Sequence, residues 1–537
     1  MNSHRWKAAA AAWREALGDE AVWTDDLRVG PYRRSADGRT RRIPCVIRPG
    51  ATEDVRRVVE IARRFEAPLY PISCGRNWGM GSRLPVRDDT AVVDLSRMNR
   101  IREINAGGLY AVVEPGVTQG QLCDRLLEEQ HPLIVNVTGS GRDTSLIGNA
   151  LDRGVGYFSS RADALSGLEV VLGDGRVIRT GFGRFDHART VHLYRHGLGP
   201  DLDGLFAQGN FGIVTAAGFS LMPRHEAHAS FVARIDGEEA LAPLVDRLVA
   251  LRRAGVLQAV THIGNRARTV ITLAPIIEEQ MAAFGVADPS HRRAMAEAWI
   301  EAEGFGPWSA VGGVSGPPAL VRAARGEIRR ALRGVARVIF LTPRLVDTAQ
   351  RLLRLTTFVP PLRRKLALLR ASEPLHRLTR GIPSDEPLKS VYWPLGRTAP
   401  TNDLDPDQSD CGILYALPIL PADGAAVREA MDVTDLIFRR RGFIPYTTVN
   451  VMDERAMEGV ITLAFPRVDT ERTDAAHACI AEVEDTLTQR GWPPYRIGIH
   501  SMPRFVRRED PFWSAVLDIK HALDPCGVIA PGRYNPD

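Results

Sequence analysis

Residues 71–82, PISCGRNWGMGS, gather three glycines, an arginine and an asparagine into one loop between two apolar runs. Glycine has no Cβ, so another group can approach its backbone, and successive backbone N–H groups can then converge on one anion. The loop lacks both the G-x-G-x-x-G order of a dinucleotide-binding βαβ unit and the G-x-x-x-x-G-K-[ST] order of a P-loop. It therefore predicts either a structural turn or a pyrophosphate cradle of a different type.

Three further stretches are rich in small residues and lie next to apolar runs: residues 113–122, 136–160 and 204–223. Small polar residues bring little apolar surface, so the longest stretch, NVTGSGRDTSLIGNALDRGVGYFSS, cannot pack a core by itself. It is either an exposed loop or a wrapping around a flat polar ligand, and its glycines between apolar residues favour wrapping. Together the four stretches indicate a large, extended cofactor that carries phosphate.

The elements that must position these loops alternate between strand-like and helical patterns up to about residue 225. Short Val- and Ile-rich runs predict buried strands, while TEDVRRVVEIARRFE and TQGQLCDRLLEEQ have the period of helices. The predicted strands are IPCVIRPG, APLYPIS, TAVVDLS, YAVVEPG, LEVVLGDGRVIRTG and FGIVTAAGFSLMP. This alternation predicts an α+β domain over residues 1–225.

From residue 226 to about residue 490 the pattern changes to longer helices separated by strands. The predicted helices are GEEALAPLVDRLVALRRAG, PALVRAARGEIRRALRGV and AAVREAMDVTDLIFRRRG, and the predicted strands are ASFVARI, ARTVITLAP, ARVIFLT, GILYALPIL and GVITLAFPR. A sheet covered by helices is the simplest architecture for such a pattern. We therefore expect a second domain over residues 226–500 and a C-terminal segment, residues 501–537, that packs back on the first domain.

The composition excludes several classes of function. The 537-residue chain has a formal net charge of +5, and its 69 Lys and Arg residues form no dense basic block with interleaved aromatics that would track a nucleic acid. Its six cysteines have no metal-ligand spacing, which predicts reduced thiols and no metal site. The first residues predict an amphipathic helix, and no apolar run approaches the length of a membrane span. We therefore expect a cytoplasmic protein with neither a nucleic-acid nor a membrane partner.

Eight stretches occur in the order typical of one flavoprotein family. They are PISCGRNWGMG, AVVDLSRMNRI, YAVVEPGVTQGQL, IGNALDRGVGY, GLEVVLGDGRVIRTGFGRF, DGLFAQGNFGIVTAAGFSLMP, KSVYW and DPCGVIAPGRY. On these stretches nearly the whole chain resembles the vanillyl-alcohol oxidase/p-cresol methylhydroxylase (VAO/PCMH) family, and within it the branch that oxidises 4-substituted phenols. The resemblance implies a PCMH-type FAD-binding domain made of two α+β subdomains, with an inserted cap domain whose antiparallel sheet is covered by helices.

The resemblance also implies which residues contact FAD. By this likeness residues 72–82 hold the pyrophosphate, and the other stretches contact the adenine, ribityl and isoalloxazine groups. The residues concerned are Ile72, Ser73, Cys74, Gly75, Arg76, Asn77, Gly79, Met80, Gly81, Ser82, Pro115, Gly116, Gly139, Ser140, Ile147, Gly148, Asn149, Ile213 and Val214.

The same likeness assigns the substrate side of the site. Tyr495 and Arg496 resemble the family's Tyr–Arg pair, and Tyr157 matches a further active-site tyrosine. Arginine stays charged and a neighbouring phenol hydroxyl donates a hydrogen bond, so this pair lowers the pKa of a bound phenol by favouring its anion. Tyr392 and Trp393 are expected to line the cap side of the pocket. Core packing is the alternative interpretation of Tyr157, Tyr392 and Trp393.

Two of these positions depart from the family pattern. Met80 stands where phenol oxidisers have a tyrosine, and a thioether cannot donate a hydrogen bond. Ser140 stands where vanillyl-alcohol oxidase has an aspartate, so no carboxylate base is evident there, although Ser140 stays among the candidate catalytic residues. Proton removal is then left to a phenolate substrate, to Tyr157 or to His500.

The positions that tether a covalent flavin in relatives also differ. The small-residue loop has no cysteine, and Ile413 occupies the expected tether position on the cap strand, with Tyr415 two residues away on the same strand face. We therefore predict non-covalent FAD. Met80 and Tyr415 are predicted pocket residues, and Tyr415 is the residue to check for a covalent link.

The resemblance implies an FAD-dependent oxidase or dehydrogenase that takes hydride from a benzylic or similarly activated carbon of a phenolic or aromatic alcohol or alkyl substrate. One alternative is a tailoring oxidase or dehydrogenase for a larger alcohol- or carboxylate-bearing natural product, in which Arg496 binds the carboxylate. Another is a flavin-binding protein or isomerase without net redox turnover. The expected partners are a small-molecule substrate, oxygen or an electron-acceptor protein, and further copies of the chain in a homodimer or larger homo-oligomer.

Overall fold

The computed structural model describes residues 2–354 and 359–536. Its first sheet has the order β1-β2-β4-β3, with parallel pairing among the last three strands, and its strands are almost entirely buried. One covering helix buries Val55, Val58, Val59 and Ala62, which recur at helical spacing on one face. These elements are α1 Asn2–Leu17, β1 Val22–Trp23, α2 Asp26–Val29, β2 Val46–Ile47, α3 Thr52–Arg64, β3 Leu69–Ile72 and β4 Ala91–Asp94.

A second, five-stranded antiparallel sheet has the order β5-β6-β10-β8-β9. Its central strand, β10, is buried over most of its length, and β7 pairs separately with β11. The elements are β5 Ile101–Asn105, β6 Tyr110–Val113, α4 Gln119–Glu128, β7 Leu133–Ile134, α5 Leu146–Leu151, β8 Leu165–Leu172, β9 Val177–Arg179, α6 Asp203–Phe206, β10 Gly212–Ser220 and β11 Met222–Pro223.

The third sheet is antiparallel, with the order β15-β12-β14-β13-β18-β19-β16 and β17 paired to β19. Its elements are β12 Ala227–Arg234, α7 Leu241–Arg253, β13 Thr261–Asn265, α8 Arg266–Ala283, α9 Pro289–Ala302, β14 Trp308–Gly316, α10 Pro318–Ala331, β15 Arg337–Leu341, α11 Pro343–Arg354, α12 Pro360–Leu378, β16 Cys411–Ala416, β17 Ile419–Pro421, α13 Gly424–Arg440, β18 Tyr446–Val451, β19 Ala456–Pro466 and α14 Thr470–Gln489. Helices α7, α10, α13 and α14 share one large apolar core with this sheet. The expected α+β fold, with an antiparallel cap sheet covered by helices, is confirmed.

The C-terminal segment returns to the first sheet. After α15 Met502–Phe505 and α16 Pro511–Leu523, the chain runs beside β3, where Leu69 donates its N–H to Val528 and accepts one from Ala530, both at 2.7 Å. The buried ammonium of Lys520 donates to the carbonyl oxygens of Ile529 and Asn210. These contacts fix the tail against the loops that end β3 and begin β10.

One predicted element is wrong. The stretch ARTVITLAP, predicted as a strand, lies inside helix α8, which Asn265 caps by accepting from the N–H of Arg268 at 2.8 Å. The β-branched residues suggested a strand, but Ile271, Ala274 and Ile277 are buried at helical spacing over a longer segment. Among the helices in the described ranges, none combines the length and low polarity that a membrane crossing needs.

Candidate active site

A cleft runs from the end of β3 past α5 and the start of β10 to the C-terminal tail. Its empty volume, which includes the open mouth, is about 1060 Å³. We call it the cleft; its walls are Tyr70, Pro71, Ile72, Ser73, Cys74, Gly75, Arg76, Asn77, Ser82, Leu95, Thr144, Ser145, Ile147, Gly148, Asn149, Leu151, Asp152, Phe206, Gln208, Gly209, Asn210, Gly212, Ile213, Val214, Arg496, Ile529, Ala530 and Arg533.

The loop after β3 presents unpaired backbone amides to the cleft. Within the part of the chain that the structure describes, the N–H groups of residues 73–77 have no hydrogen-bond acceptor. Five successive free donors on a cavity wall form an anion-binding concavity, since buried amides are otherwise almost always paired. Gly148 supports the approach of the opposite wall, because a Cβ there would lie 2.7 Å from Ser73 Oγ. The loop therefore fits a bound pyrophosphate.

Seven of the residues predicted to contact the cofactor do not line the cleft: Met80, Gly139 and Ser140 line the adjoining cavity beneath the cap sheet, and Gly79, Gly81, Pro115 and Gly116 line neither cavity. Gly79 and Gly81 have φ of +73° and +114°, and a Cβ on them would lie 2.7 Å from Tyr415 Cε2 and from Ile499 Cγ2 respectively. These two glycines therefore let the far side of the loop pack closely against neighbouring segments. Pro115 and Gly116 lie behind the wall: a Cβ on Gly116 would meet the carbonyl oxygen of Ser96 at 2.5 Å, and the Pro115 carbonyl accepts from Ser145.

Asp152 joins three walls of the cleft. Its carboxylate accepts hydrogen bonds from Asn77 Nδ2 at 2.9 Å, Arg496 Nε at 2.7 Å and Arg533 Nη2 at 2.6 Å. Arg496 also donates to Asn77 Oδ1 at 2.5 Å, and Arg533 donates to the Tyr70 hydroxyl at 2.9 Å. Two arginines and one carboxylate leave a net positive charge at this end of the cleft. Asp152 and Arg533 were missed by sequence reasoning, because they lie inside the family-like stretches but have no separate signal of their own.

Two acidic residues from the cap segment hold the loop from outside. Asp405 accepts from Trp78 Nε1 at 3.1 Å and Arg83 Nη2 at 2.9 Å, and lies 3.2 Å from Arg76 Nη1. Burial raises the pKa of the Asp405 carboxyl, but Arg83 and Arg76 outweigh it and hold the pKa below its usual range. Asp407 accepts from Ser82 Oγ at 3.0 Å, and burial with the neighbouring Asp405 charge raises its pKa to about 7. Arg76, predicted as a phosphate ligand, is thus already paired with carboxylates.

A second cavity adjoins the cleft beneath the cap sheet and shares Arg76, Asn77, Asn149 and Arg496 with it. We call it the chamber. Its walls are Arg76, Asn77, Trp78, Met80, Thr138, Gly139, Ser140, Asn149, Val155, Tyr157, His262, Arg268, Ile271, Pro387, Leu388, Ser390, Val391, Pro394, Ile413, Tyr415, Leu417, Tyr446, Thr448, Asn450, Val460, Thr462, Ala464, Tyr495 and Arg496.

The structure brings six of the predicted site residues together on the chamber wall: Met80, Ser140, Tyr157, Tyr415, Tyr495 and Arg496. Among the described residues, the hydroxyl groups of Tyr157 and Tyr495 have no hydrogen-bond partner. Burial raises the pKa of Tyr157 to about 12 despite the opposing charge of Arg268, and burial with Glu458 raises the pKa of Tyr495 despite Arg496. Both hydroxyls therefore stay protonated and can donate to a bound oxygen. Ser140 is instead engaged with Thr144 Oγ1 at 2.8 Å.

His262 is a chamber residue that the sequence did not single out. Its Nδ1 donates to Asn450 Oδ1 at 2.7 Å, and its ring lies 4.3 Å from that of Tyr157. Burial lowers the pKa of His262 to about 4, so the ring is neutral and Nε2, which has no partner among the described residues, keeps its lone pair. Asn450 also hydrogen-bonds Glu458, whose pKa burial raises to about 8. The chamber thus holds an unpaired acceptor beside two unpaired donors.

Three other expected residues do not line the chamber. Tyr392 packs in a core with Trp78 and Ile413, and Trp393 packs against the cap helices with Arg293 4.0 Å above its ring. The two side chains form a layer behind Ser390, Val391 and Pro394, which supply that wall instead. His500 is buried elsewhere, with Nδ1 3.7 Å from Asp37, so it is not available as a base.

A third cavity, the side cavity, continues from the chamber and shares Gly139, Tyr157, His262, Arg268, Pro387 and Thr448 with it. Its empty volume is about 1400 Å³. The remaining walls are mostly apolar: Val232, Arg234, Gly264, Thr269, Thr272, Leu273, Glu303, Phe305, Ser309, Val311, Ile339, Leu341, Leu368, Leu369, Ser372 and Leu375. A substrate longer than a simple phenol could therefore extend from the chamber into the side cavity.

Comparison with known proteins identifies the family. Residues 43–181 match the model of an FAD binding domain. A 1'-carboxy-chondrochloren decarboxylase of Chondromyces crocatus is 34% identical over 544 residues, covering 100% of this chain and 98% of the relative. The flavoprotein subunit of 4-cresol dehydrogenase (hydroxylating) of Pseudomonas putida is 26% identical, covering 98% and 95%. The chain belongs to the VAO/PCMH family. A solved member, the 4-ethylphenol oxidase of Gulosibacter chungangensis in complex with isoeugenol, has a TM-score of 0.83 at 26% identity, covering 99% of this chain and 97% of that one.

As a VAO/PCMH protein, the chain is an FAD-linked oxidoreductase, and its cofactor is FAD. The residues present fit this group: the free amides of residues 73–77 suit the pyrophosphate, and the cleft and chamber together suit an elongated molecule. Burial raises the pKa of the cleft thiol Cys74 to about 12, so it stays protonated and is a poor nucleophile for a covalent link.

Proposed function

We propose that this enzyme takes a hydride from the benzylic or similarly activated carbon of a phenolic or aromatic alcohol or alkyl substrate. The observation that supports this proposal is the grouping of Tyr157, Tyr495 and His262 in one chamber next to the cleft, each with an unpaired polar atom. The two donors match a phenolate oxygen, which only accepts hydrogen bonds, and the acceptor suits an alcohol hydroxyl of the substrate or a water molecule.

In the proposed complex, Tyr495 donates to the substrate oxygen while the positive charge of Arg496 favours the phenolate. Asp152 offsets part of this charge, but Arg533 shares the carboxylate, so the arginine pair keeps a net positive potential. Preorganised charge in a dry site is worth several kcal/mol in transition-state stabilisation. The phenolate then pushes electron density toward the ring, which weakens the benzylic C–H bond as hydride departs. FAD, when bound, supplies the hydride acceptor.

His262 suits the role of orienting the substrate rather than holding its proton. With a pKa of about 4, its imidazole is a weak base. Its Nε2, which is buried at the chamber wall and unpaired among the described residues, would accept a hydrogen bond from an alcohol hydroxyl of the substrate or from an incoming water that reached it. After hydride loss, the electron-poor substrate carbon gains water or the neighbouring carbon loses a proton. An alkyl substrate accordingly gives an alcohol or an alkene, whereas an aromatic alcohol that loses the hydride from its carbinol carbon gives an aldehyde when its hydroxyl group loses a proton.

A second candidate substrate is a larger natural product that carries a carboxylate. The side cavity favours it, and so does the similarity to a protein named as a carboxy-chondrochloren decarboxylase. If a carboxylate is attached next to the benzylic carbon, hydride loss followed by loss of CO₂ leaves the C–C electron pair as the new double bond. Arg496, which was expected to bind such a carboxylate, is occupied by Asp152 and Asn77, so that role falls to another residue.

Anaerobic mixing with a panel of 4-alkylphenols tests the proposed reaction. We expect bleaching of the flavin absorbance, with 4-ethylphenol and 4-propylphenol as probes and with 4-alkylanisoles, which cannot form a phenolate, as matched inactive controls. Bleaching by the anisoles at the same rate would overturn the role of the phenolate. A panel that bleaches only with larger carboxylated phenols supports the second candidate.

We further propose non-covalent FAD, reoxidation by oxygen or an electron-acceptor protein, and a homodimer or larger homo-oligomer. Acid precipitation tests covalency: the flavin should remain in the supernatant, whereas a yellow pellet would indicate a link, with Tyr415 on the chamber wall as the first residue to replace. Reoxidation in air, compared with reoxidation by an added cytochrome, separates the two acceptors. Light scattering of the purified holoenzyme gives the oligomeric state.

A further inference from the structure

Arg268 lies where the chamber meets the side cavity and lines both. It follows the N-cap of α8, and its side chain folds over Gly264, whose hypothetical Cβ would lie 3.4 Å from Arg268 Cγ. The stem of the arginine is therefore positioned by rigid elements, a helix N-terminus and a strand end. This places a fixed cation at the point where a long substrate would leave the chamber.

The guanidinium of Arg268 has no counter-ion among the described residues. Across the described ranges, residues 2–354 and 359–536, it forms neither an ion pair nor a side-chain hydrogen bond. Three interior arginines near these cavities are paired, Arg496 with Asp152, Arg76 with Asp405 and Arg364 with Glu303, while Arg234 of the side cavity donates to the backbone carbonyl of Glu303. A partly buried charge without a partner is costly, and the Arg268 nitrogen atoms are still accessible from the cavities, so this guanidinium is suited to an anionic ligand.

The charges of Arg268 and Arg496 act on the chamber from two sides. Burial raises the pKa of Tyr415 against the charges of both guanidinium groups, whereas of these two charges only that of Arg268 affects the pKa values of Tyr157 and His262. Both arginines and Tyr415 line the chamber, so a substrate that spans it can present one anionic oxygen to each guanidinium group. Beyond Arg268 the side cavity offers apolar walls such as Leu273, Val311 and Leu369.

We propose that Arg268 binds a carboxylate of the substrate, and that the side cavity takes an apolar tail attached next to that carboxylate. The inference rests on the proposed function, since it places the phenol oxygen at Tyr495 and Arg496. The substrate class is thus an amphiphilic phenol: a phenol ring, a carboxylate close to the benzylic carbon, and a hydrophobic chain. Binding the carboxylate makes or breaks no covalent bond.

Matched substrates test the carboxylate contact. The probes are 2-(4-hydroxybenzyl)decanoate and its primary carboxamide, which keeps size and shape but removes the charge. We expect the acid to reduce the flavin of the intact holoenzyme with a higher kcat/KM than the carboxamide does. Arg268→Met should lower kcat/KM for the acid about 10- to 100-fold, the range that corresponds to losing a hydrogen bond to a charged group, and leave the amide little changed. Arg268→Lys should fall between the two.

A binding measurement separates recognition from turnover. 2-(4-Hydroxyphenoxy)decanoate has an oxygen in place of the benzylic carbon and cannot yield a hydride, so calorimetry reports its affinity alone. Arg268→Met should weaken this ligand about 10- to 100-fold but not its carboxamide. FAD content and thermal unfolding identify a variant that has failed to fold, in which case Arg268→Lys and Arg268→Gln carry the comparison.

Ser372→Phe tests the tail. Ser372 lines the side cavity but not the chamber, so the added ring should weaken 2-(4-hydroxybenzyl)decanoate and leave the tail-less 3-(4-hydroxyphenyl)propanoate unchanged. The inference is overturned if Arg268→Met affects acid and amide equally, or if Ser372→Phe affects both acids equally. If neither these phenols nor simple 4-alkylphenols bleach the flavin of the unaltered enzyme, the proposed function fails as well.

Discussion

Asp152 is the residue at which the loop after β3, the segment around Arg496 and the C-terminal tail meet. Its side chain is buried with two arginines, so removing its charge leaves two interior cations without their shared partner. A role of this kind depends on segments that are more than 300 residues apart in sequence. For this reason the residue gave no local signal, even though it lies inside a stretch that resembles the family.

Asp152→Asn should destabilise the protein by about 3–5 kcal/mol, the usual cost of breaking a buried ion pair, and should weaken FAD retention. Thermal unfolding and the FAD content after gel filtration measure the two effects. Asp26→Asn is the matched control: Asp26 pairs with Arg33 at 2.7 Å but is 89% exposed, so its loss should change stability by less than about 1 kcal/mol. Equal effects in the two variants would contradict the role given to Asp152.

Tyr495→Phe should slow flavin reduction by a 4-alkylphenol about 100-fold, the typical cost of one preorganised donor to a developing oxyanion. Anaerobic stopped-flow measures this rate directly. Tyr194→Phe is the control, because Tyr194 is 55% exposed and lies outside the chamber. If Tyr495→Phe reduces its flavin at the normal rate, the phenolate is bound by Tyr157 or Arg268 instead.

At this scale the sequence predicted side chains that a family-like stretch carries, such as Met80, Tyr157 and Tyr495. It did not predict His262 and Arg268, because their meaning depends on where β13 and α8 place them. It also placed Tyr392 and Trp393 on the wall of the pocket, one layer too far inward. A short stretch of sequence predicts which aromatic residues lie near a site. The backbone conformation of the turn that contains them determines which side chains face the site.

Among the elements, the loop after β3 depends on the cap segment that contains Asp405 and Asp407. Trp78, Ser82 and Arg83 all bond to these two carboxylates, so the free amides of residues 73–77 are held in shape from the opposite side. The loop expected to hold the pyrophosphate is therefore supported by the cap segment that contains Asp405 and Asp407.

Asp405→Asn should raise the Kd for FAD about 10-fold, because it weakens two charge-assisted contacts that hold the loop. Fluorescence quenching of FAD on rebinding to the apoprotein gives this Kd. Asp403→Asn is the control from the same segment: Asp403 lies 3.7 Å from Arg76 but is 83% exposed. A matching loss in Asp403→Asn would indicate general attraction between the charges instead of loop support.

Element prediction succeeded where apolar alternation and glycine boundaries agreed, as for β3, β4 and β10. It failed for α8, whose β-branched residues imitate a strand, and it omitted β14, a central strand that contains Gly312 and Gly313. The glycine-rich sequence WSAVGGVSG suggests a loop, yet Gly312 makes room for the ring of Phe231, which would lie 2.6 Å from a Cβ. Tertiary packing outweighs the local preference in both cases.

For the whole molecule, the cap sheet and the first two sheets together bury ionisable groups whose protonation affects stability. Burial raises the pKa of Glu458 from the ordinary 4.5 to about 8, so the folded protein binds this proton more tightly than the unfolded chain. The contribution to stability is therefore greatest below pH 4.5 and is lost as the pH rises through 8. Asp407, with a pKa of about 7, acts in the same direction.

Glu458→Gln should remove part of this pH dependence, because the amide resembles the protonated acid. The slope that one proton contributes is at most about 1.4 kcal/mol per pH unit. Thermal unfolding at pH 5 and pH 8.5 should show equal melting temperatures for the two proteins at the lower pH and a higher one for Glu458→Gln at the upper pH. If the two melting temperatures differ by the same amount at pH 5 and at pH 8.5, Glu458 is ionised in the folded protein.

The overall architecture was the most predictable level, because eight stretches in a fixed order constrain the fold more than any single pattern does. The family and the FAD cofactor followed from the same order. The boundaries at residues 225 and 500, the cytoplasmic location and the oligomer stay predictions. They depend on surfaces and sorting, which the interior patterns of a sequence do not encode.

The tail beside β3 has a consequence for how the enzyme matures. Ile529, Ala530 and Arg533 complete the cleft, and the ribosome adds them after every other wall has been made. The sheets of the nascent first domain can fold early, but the cleft for the flavin is incomplete until these residues have been synthesised. Cofactor loading should therefore follow translation rather than accompany it, so a cell that makes the chain faster than it makes flavin will accumulate complete but colourless protein.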